Sequence, residues 1–315
     1  MRRYGKAAMI DAMSSTQQIL VARPADDHRR QSGRRPSWRR AELLWAAAFA
    51  APYLTVLLGF GLYPAAVALW MARQPALYAE LFAEPLYWPT VVNTLLFVGL
   101  AVNVKMFAAL LLSGFFMQRR WWIKGLLVIF VVPWFIATVQ AFISFHWMLI
   151  GEYGLIDQVL LQLFGIDGPT WFNDRWLALA CNIVAYSWKW LPFWTLIFLA
   201  GRRAIPSEIM DAAAVDGADG VRRFTLVSFP LLANLYLVCT LLATVWGFGD
   251  FATAYFVSGG TPVNTTNVVA TLSFRFAFDD ARPAIGVAAA VSALPVLIPI
   301  CLVLMRRLQT RDMQL

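Results

Sequence analysis

The chain has 315 residues, of which 60% are hydrophobic, 15% aromatic and only 14% charged, and its mean hydropathy is +0.63. A soluble domain carries about 25% charged residues, so the composition argues against a water-soluble enzyme, and more firmly against a disordered chain, which needs low hydrophobicity. The net charge of +8 does not point to nucleic acid, because ten of the 26 basic residues lie in the first 40 positions and most others in short turns between apolar blocks.

Residues 1–40 form a basic tail with arginine pairs at 29–30, 34–35 and 39–40. It lacks the apolar stretch of a secretory signal and is expected to be disordered. Either it lies against anionic lipid, as juxtamembrane basic clusters do, or it only fixes topology. A transmembrane domain is expected over 41–307, with a short C-terminus at 308–315.

A helix needs about 20 apolar residues to cross the hydrocarbon core. Charge-free runs meet that length at 43–72, 125–151, 224–249 and 283–305. Two more blocks each carry one lysine: 90–117 with Lys105, and 176–201 with Lys189. The expected fold is therefore an all-α integral membrane protein with six transmembrane helices. Lys and Arg concentrate in the tail, 118–124, 201–223 and the C-terminus, 20 in all, against four (Arg73, Arg175, Arg275, Arg282) in the alternate loops. By the positive-inside rule both termini are cytoplasmic, which requires an even number of spans. The longer outer segments are 150–175, expected on the bundle rim, and 250–282, which holds the turn-forming Ser258-Gly259-Gly260-Thr261-Pro262.

Chemistry motifs are missing: no G-x-x-x-x-G-K-[ST], H-E-x-x-H or G-x-S-x-G occurs. Cys181, Cys239 and Cys301 each lie inside an apolar block and read as small hydrophobes, while His28 and His146 are isolated. No catalytic residue, bound cofactor or metal is expected in this chain.

Within the membrane, Lys189 sits about 13 residues into the fourth span. An unpaired central lysine costs about 2.5–3.5 kcal/mol, so it faces a polar cavity or displaced backbone carbonyls, or else it snorkels or pairs with a neighbouring span. Pro192 tends to kink that helix. Trp188, Trp190 and Trp194 cluster at the same point and suit stacking on a sugar, although tryptophan also serves as packing. Trp188, Lys189, Trp190 and Trp194 are the candidate substrate path, with Asn182, Ser187 and Thr195 as possible hydrogen-bonding groups. Lys105 is expected to snorkel.

The segment between spans four and five reads as a helix, a turn and a second helical start. Pro206 suits a first turn, Ser207 and Glu208 suit an N-terminus, and Ala212-Ala213-Ala214 are strong helix formers. Gly217 and Gly220 permit positive φ or a close backbone approach, and Ile205, Ile209 and Met210 are available to bury.

The same segment resembles the permease subunits of bacterial ABC importers, whose cytoplasmic E-A-A-x3-G-x9-I-x-L-P stretch has the same spacing as Asp211-Ala212-Ala213, Gly217, Val227 and Phe229-Pro230. Asp, Val and Phe replace Glu, Ile and Leu. Further stretches resemble carbohydrate-uptake permeases of the maltose and glycerol-phosphate type: Asn93-Thr94, Lys124-Gly125 with Val132-Pro133-Trp134, Phe145-His146-Trp147, Trp188-Lys189-Trp190-Leu191-Pro192-Phe193, Asp216-Gly217-Ala218 and the turn at 258–262.

The resemblance implies a coupling helix that docks in a separate ATPase through Glu208, Asp211, Ala212, Ala213, Asp216, Gly217, Ala218 and Pro230. It implies two ATPase subunits that bind ATP and magnesium, a second permease making a heterodimer, an external solute-binding protein, and a site in the bacterial inner membrane. The expected function is sugar or polyol import by alternating access, without catalysis in this chain. Import of an amino acid, polyamine or metal chelate is the nearest alternative, and an ATPase-independent carrier or channel is a more distant one.

Overall fold

The computed structural model describes residues 38–312. The basic tail at 1–40, expected to be disordered, lies outside that range apart from its last three positions, which open a helix. The chain divides into two units, residues 1–65 and 66–315.

The first unit supplies most of the first span, α1 (Leu44–Met71). Pro64 has no N–H and its ring crowds the carbonyl one turn back. Around it the ladder widens over Leu57–Leu62, where the Tyr63 N–H reaches the Leu58 carbonyl.

The second unit contains α2 (Pro75–Ala83), α3 (Tyr87–Phe115), α4 (Trp121–Phe135), α5 (Thr138–Met148), α6 (Leu155–Phe164), α7 (Arg175–Arg203), α8 (Ser207–Val215), α9 (Gly220–Phe248), α10 (Val269–Phe274) and α11 (Pro283–Thr310). Among the described residues, α1, α3, α7, α9 and α11 are each long and apolar enough to cross a membrane. The sixth span is the pair α4 and α5, bent by 98°. The expected count of six holds with this pair counted as one broken span, but the unbroken third span at 125–151 does not. Pro133 removes a bond from the last turn of α4, and Ile136 and Ala137 then run extended before α5 begins.

Why these helices associate is visible on α3. Its buried positions, including Asn93, Phe97, Ala101, Lys105, Ala109 and Ser113, recur at helical spacing on one face. The exposed face carries Leu95, Leu100, Val104, Phe107 and Leu111. Apolar side chains thus point outward as readily as inward, because lipid tails are as apolar as leucine. Inside, fully buried small residues such as Ala101, Ala109, Ala185 and Ala243 let backbones close on one another. Phe97, Met106, Trp194 and Phe198 fill the remaining core between α3, α7 and α9.

One approach is closer still. A Cβ at Gly286 in α11 would lie 2.6 Å from the Ser273 carbonyl oxygen and 2.7 Å from the Ala277 Cβ. Ser273 Oγ donates to the Gly286 carbonyl at 2.6 Å and locks the contact. Gly286→Val is therefore expected to cost about 1–3 kcal/mol by overpacking. Thermal unfolding in detergent checks this, and an unchanged midpoint would contradict the contact.

Candidate functional site

The short helix α8 lies in the chain between the arginine-bearing end of α7, with Arg202 and Arg203, and the start of α9, with Arg222 and Arg223. Pro206, with extended backbone, precedes it, and Glu208 lies in its first turn. The helix stops in two steps. Gly217 has φ +72° and donates to Ala214 O at 3.1 Å, while Ala218 N–H reaches Ala213 O at 2.9 Å. This six-residue return is a Schellman stop, whose glycine must be left-handed. Nothing lies within 4 Å of a Cβ built at Gly217. Of the two reasons expected for a glycine there, positive φ applies and close approach does not.

Ala213 and Ala218 are buried at the inner side of this turn. Glu208, Asp211, Ala212 and Asp216 are exposed, so α8 presents carboxylates and a small-residue surface outward. Ile205 and Met210 are half-buried, but Ile209, expected to be available for burial, is exposed.

Beyond the turn, Asp219 pairs with Arg223 at 3.0 Å across one turn of α9. Pro230 is exposed. It cannot donate to Leu226 and crowds that carbonyl, and the bonds widen over Phe224–Ser228, where Phe229 N–H reaches Phe224 O. Phe229 packs on Phe224 and on Tyr236, and Tyr236 stacks on Phe198 of α7.

Sequence reasoning missed the residue that ties this end together. Arg202 donates from Nε to Ser113 Oγ at 2.7 Å and from Nη2 to Leu110 O at 3.1 Å, both on α3. Its guanidinium carbon also lies 5.4 Å from the Phe224 ring centre. One side chain thus joins α3, α7 and the start of α9. In the sequence Arg202 reads only as one more positive charge at a span end.

The four residues of the candidate substrate path do not share one face of α7: Trp190 and Trp194 meet Trp246, while Lys189 and Trp188 turn to the α4–α5 bend. Lys189 is buried, and its Nζ donates to Pro133 O at 2.9 Å, Trp134 O at 3.1 Å and Ile136 O. These are carbonyls left without helical partners where α4 ends, and an ammonium offers three donors. Displaced backbone carbonyls are thus the partner, as one of the expected alternatives had it. Trp188 packs on Phe145 of α5 and, with Pro133, Ile136 and Pro192, lines a cavity of about 400 Å³ at the bend.

Trp190 and Trp194, one turn apart, meet Trp246 of α9 at ring-centre distances of 6.1 and 5.4 Å. Trp246, missed because it lies on another span, completes this aromatic group. Trp194 is buried, whereas Trp190 is half-buried and Trp246 exposed. Of the polar candidates, Asn182 donates to Ser258 Oγ at 2.9 Å and Thr195 bonds back to Leu191 O, so neither joins the tryptophans through its hydrogen bond.

Lys105 does not snorkel. It is buried, with Nζ 4.0 Å from the Tyr186 ring centre and 6.0 Å from that of Trp194. Toward the opposite end, Asn93 donates to Thr265 O and Asn267 O and accepts from Arg175 at 2.8 Å, pinning the 258–268 turn to α3 and α7. Arg282 pairs with Glu80 and Glu84 at 2.6 and 2.7 Å.

The exposed nine-residue helix α8, with its glycine stop, thus lies beside a packed helical bundle. Residues 90–313 match the family described as "Binding-protein-dependent transport system inner membrane component". The chain belongs to this family. It is thus a multi-pass inner-membrane permease, and its sequence is similar to family members from several sources. One is the sulfoquinovosyl glycerol transport system permease protein SmoG of Agrobacterium fabrum, 30% identical over 238 residues, or 75% of this chain and 76% of the relative. Another is the trehalose/maltose transport system permease protein MalF of Thermococcus litoralis, 27% identical over 241 residues, or 71% and 80%. The fold is that of a chain in the crystal structure of a bacterial ABC transporter involved in the import of the acidic polysaccharide alginate, with TM-score 0.73 at 21% identity over 87% of this chain and 98% of that one.

If the Lys189 ammonium braces the bend, Lys189→Met leaves several buried carbonyls unpartnered, each at about 1–3 kcal/mol. A clearly lower thermal midpoint is expected, with partial recovery in Lys189→Arg. Loss of uptake at an unchanged midpoint would instead mark Lys189 as a substrate contact.

Proposed function

We propose that this permease forms one half of the translocation pathway of an ATP-driven importer and carries a sugar or related polyol into the cytoplasm. The observation that carries the reading is α8: a nine-residue helix with an exposed acidic and alanine face, held by a left-handed glycine stop at the arginine-rich end of the bundle. That end is cytoplasmic by its charge, as are both termini. The sugar assignment is supported by relatives named for sulfoquinovosyl glycerol, trehalose/maltose and lactose transport.

In this mechanism Glu208, Asp211, Ala212 and Asp216 face a groove of an ATPase subunit, and Ala213, Gly217 and Ala218 keep the helix at a fixed angle. Two such subunits bind ATP and magnesium. A second, related permease completes the pathway, and an external binding protein delivers the solute. Closure of the ATPases displaces α8, and the motion passes through the Phe224–Ser228 turn and Pro230 into α9, and through Arg202 into α3 and α7. The chain itself performs no catalysis. The substrate path runs along the face bearing Trp190 and Trp246, with Trp194 packed behind them, Trp188 at the bend cavity and Lys189 fixing the bend.

Gly217 tests the coupling role. Its φ of +72° costs a non-glycine residue about 1–2 kcal/mol, and Asn tolerates that region better than most. Gly217→Val is expected to abolish ATP-driven uptake in proteoliposomes while the spans still insert, and Gly217→Asn to keep most of it. Normal transport by Gly217→Val would refute the rigid-helix role.

The solute class is tested separately with radiolabelled sugars, amino acids and polyamines supplied to the reconstituted complex. Uptake of a sugar or polyol that stops when ATP hydrolysis is blocked is expected. Uptake that follows an ion gradient without ATP would contradict the importer reading.

A further inference from the structure

At the arginine-rich end, a cavity of about 1160 Å³ opens between α3, α7, α8 and α9. Arg119, Arg202, Arg203 and Arg223 line it, and no carboxylate does. The α8 carboxylates Glu208 and Asp211 are exposed and do not line it. Arg202 is fixed at the base by Ser113 and Leu110, and Arg223 by Asp219. Arg119 and Arg203 are exposed, and neither guanidinium has an ion-pair or hydrogen-bond partner among the described residues.

The rest of the wall is apolar, with Phe107, Leu111, Met117 and Val221 all exposed. On α3 this wall continues as a stripe through Leu111, Phe107, Val104 and Leu100. Phe107 is eight residues, about 12 Å, from the helix end at Phe115. That distance is comparable with one leaflet of a hydrocarbon core about 30 Å thick.

We infer that this cavity is a binding site for an anionic phospholipid. The phosphodiester headgroup pairs with Arg119 and Arg203 beside the fixed Arg202, and an acyl chain lies along Leu111, Phe107 and Val104. Basic pockets between spans recognise lipid headgroups by this chemistry, and arginine suits a phosphate because its fork donates to two oxygens at once. A soluble phosphate compound would use the guanidiniums but leave the apolar stripe uncovered. The inference depends on the fold alone and not on which solute is carried.

The test uses the chain in the assembly in which it purifies from membranes, placed in nanodiscs of phosphatidylglycerol and phosphatidylcholine in equal parts. Native mass spectrometry then counts the lipid retained through a detergent wash. Preferential retention of phosphatidylglycerol is expected. It should weaken about thirtyfold when both free arginines are neutralised in R119Q/R203Q, and return largely in R119K/R203K, with subunit association unchanged throughout. Equal retention by wild type and R119Q/R203Q would overturn the proposal, as would equal retention of the two lipids. Release of the lipid by inorganic phosphate alone would do the same, and so would a Phe107→Cys crosslink filling the cavity with a neighbouring subunit.

Discussion

A backbone carbonyl inside the bilayer has no water to turn to, so a span can break only where the protein supplies replacement donors. Here the supply is one ammonium. The third span bends by 98° between α4 and α5, and Lys189 of α7 donates to three of the carbonyls that the bend exposes. The lysine and the bend stabilise each other: the charge finds dipoles in place of water, and the carbonyls find donors. A cavity beside Trp188 opens at the same bend, lined by Pro133, Ile136 and Pro192.

The same constraint turns the usual pattern inside out. In water the apolar face of a helix marks the core, but in lipid the outer face is equally apolar. On α3 the buried face is the one that carries Asn93, Thr94, Lys105 and Ser113. Polar groups inside therefore bind the bundle together, as Asn93 does for the 258–268 turn and Ser113 does for Arg202. Their partners lie 76 to 174 residues away in the chain for bonds such as Asn182–Ser258 and Asn93–Asn267.

What the sequence disclosed follows from that physics. Span number and charge asymmetry are one-dimensional signals and were legible. So was α8, because its proline, alanines and glycine act locally; the Gly217 conformation follows directly from a helix that must stop there. The bend at Ile136 was not legible, since Pro133 alone does not say whether a helix kinks or breaks. Lys105 was read as snorkelling because its aromatic partner, Tyr186, is on another span. Trp246 and Arg202 were missed for the same reason: their meaning lies in contacts between elements, and each looks ordinary in its own segment.

In the proposed mechanism, mechanical continuity runs from α8 through its glycine stop and the Phe224–Ser228 turn to the arginine that joins three spans. Its first link is the most exposed to experiment. A cysteine placed at Asp211 or Ala212, both exposed on α8, can be crosslinked in native membranes with a short bifunctional reagent. The account predicts an adduct with a P-loop ATPase subunit and no labelling by an impermeant thiol reagent applied from outside the cell. Labelling from outside, or the absence of any ATPase adduct from either position, would contradict it.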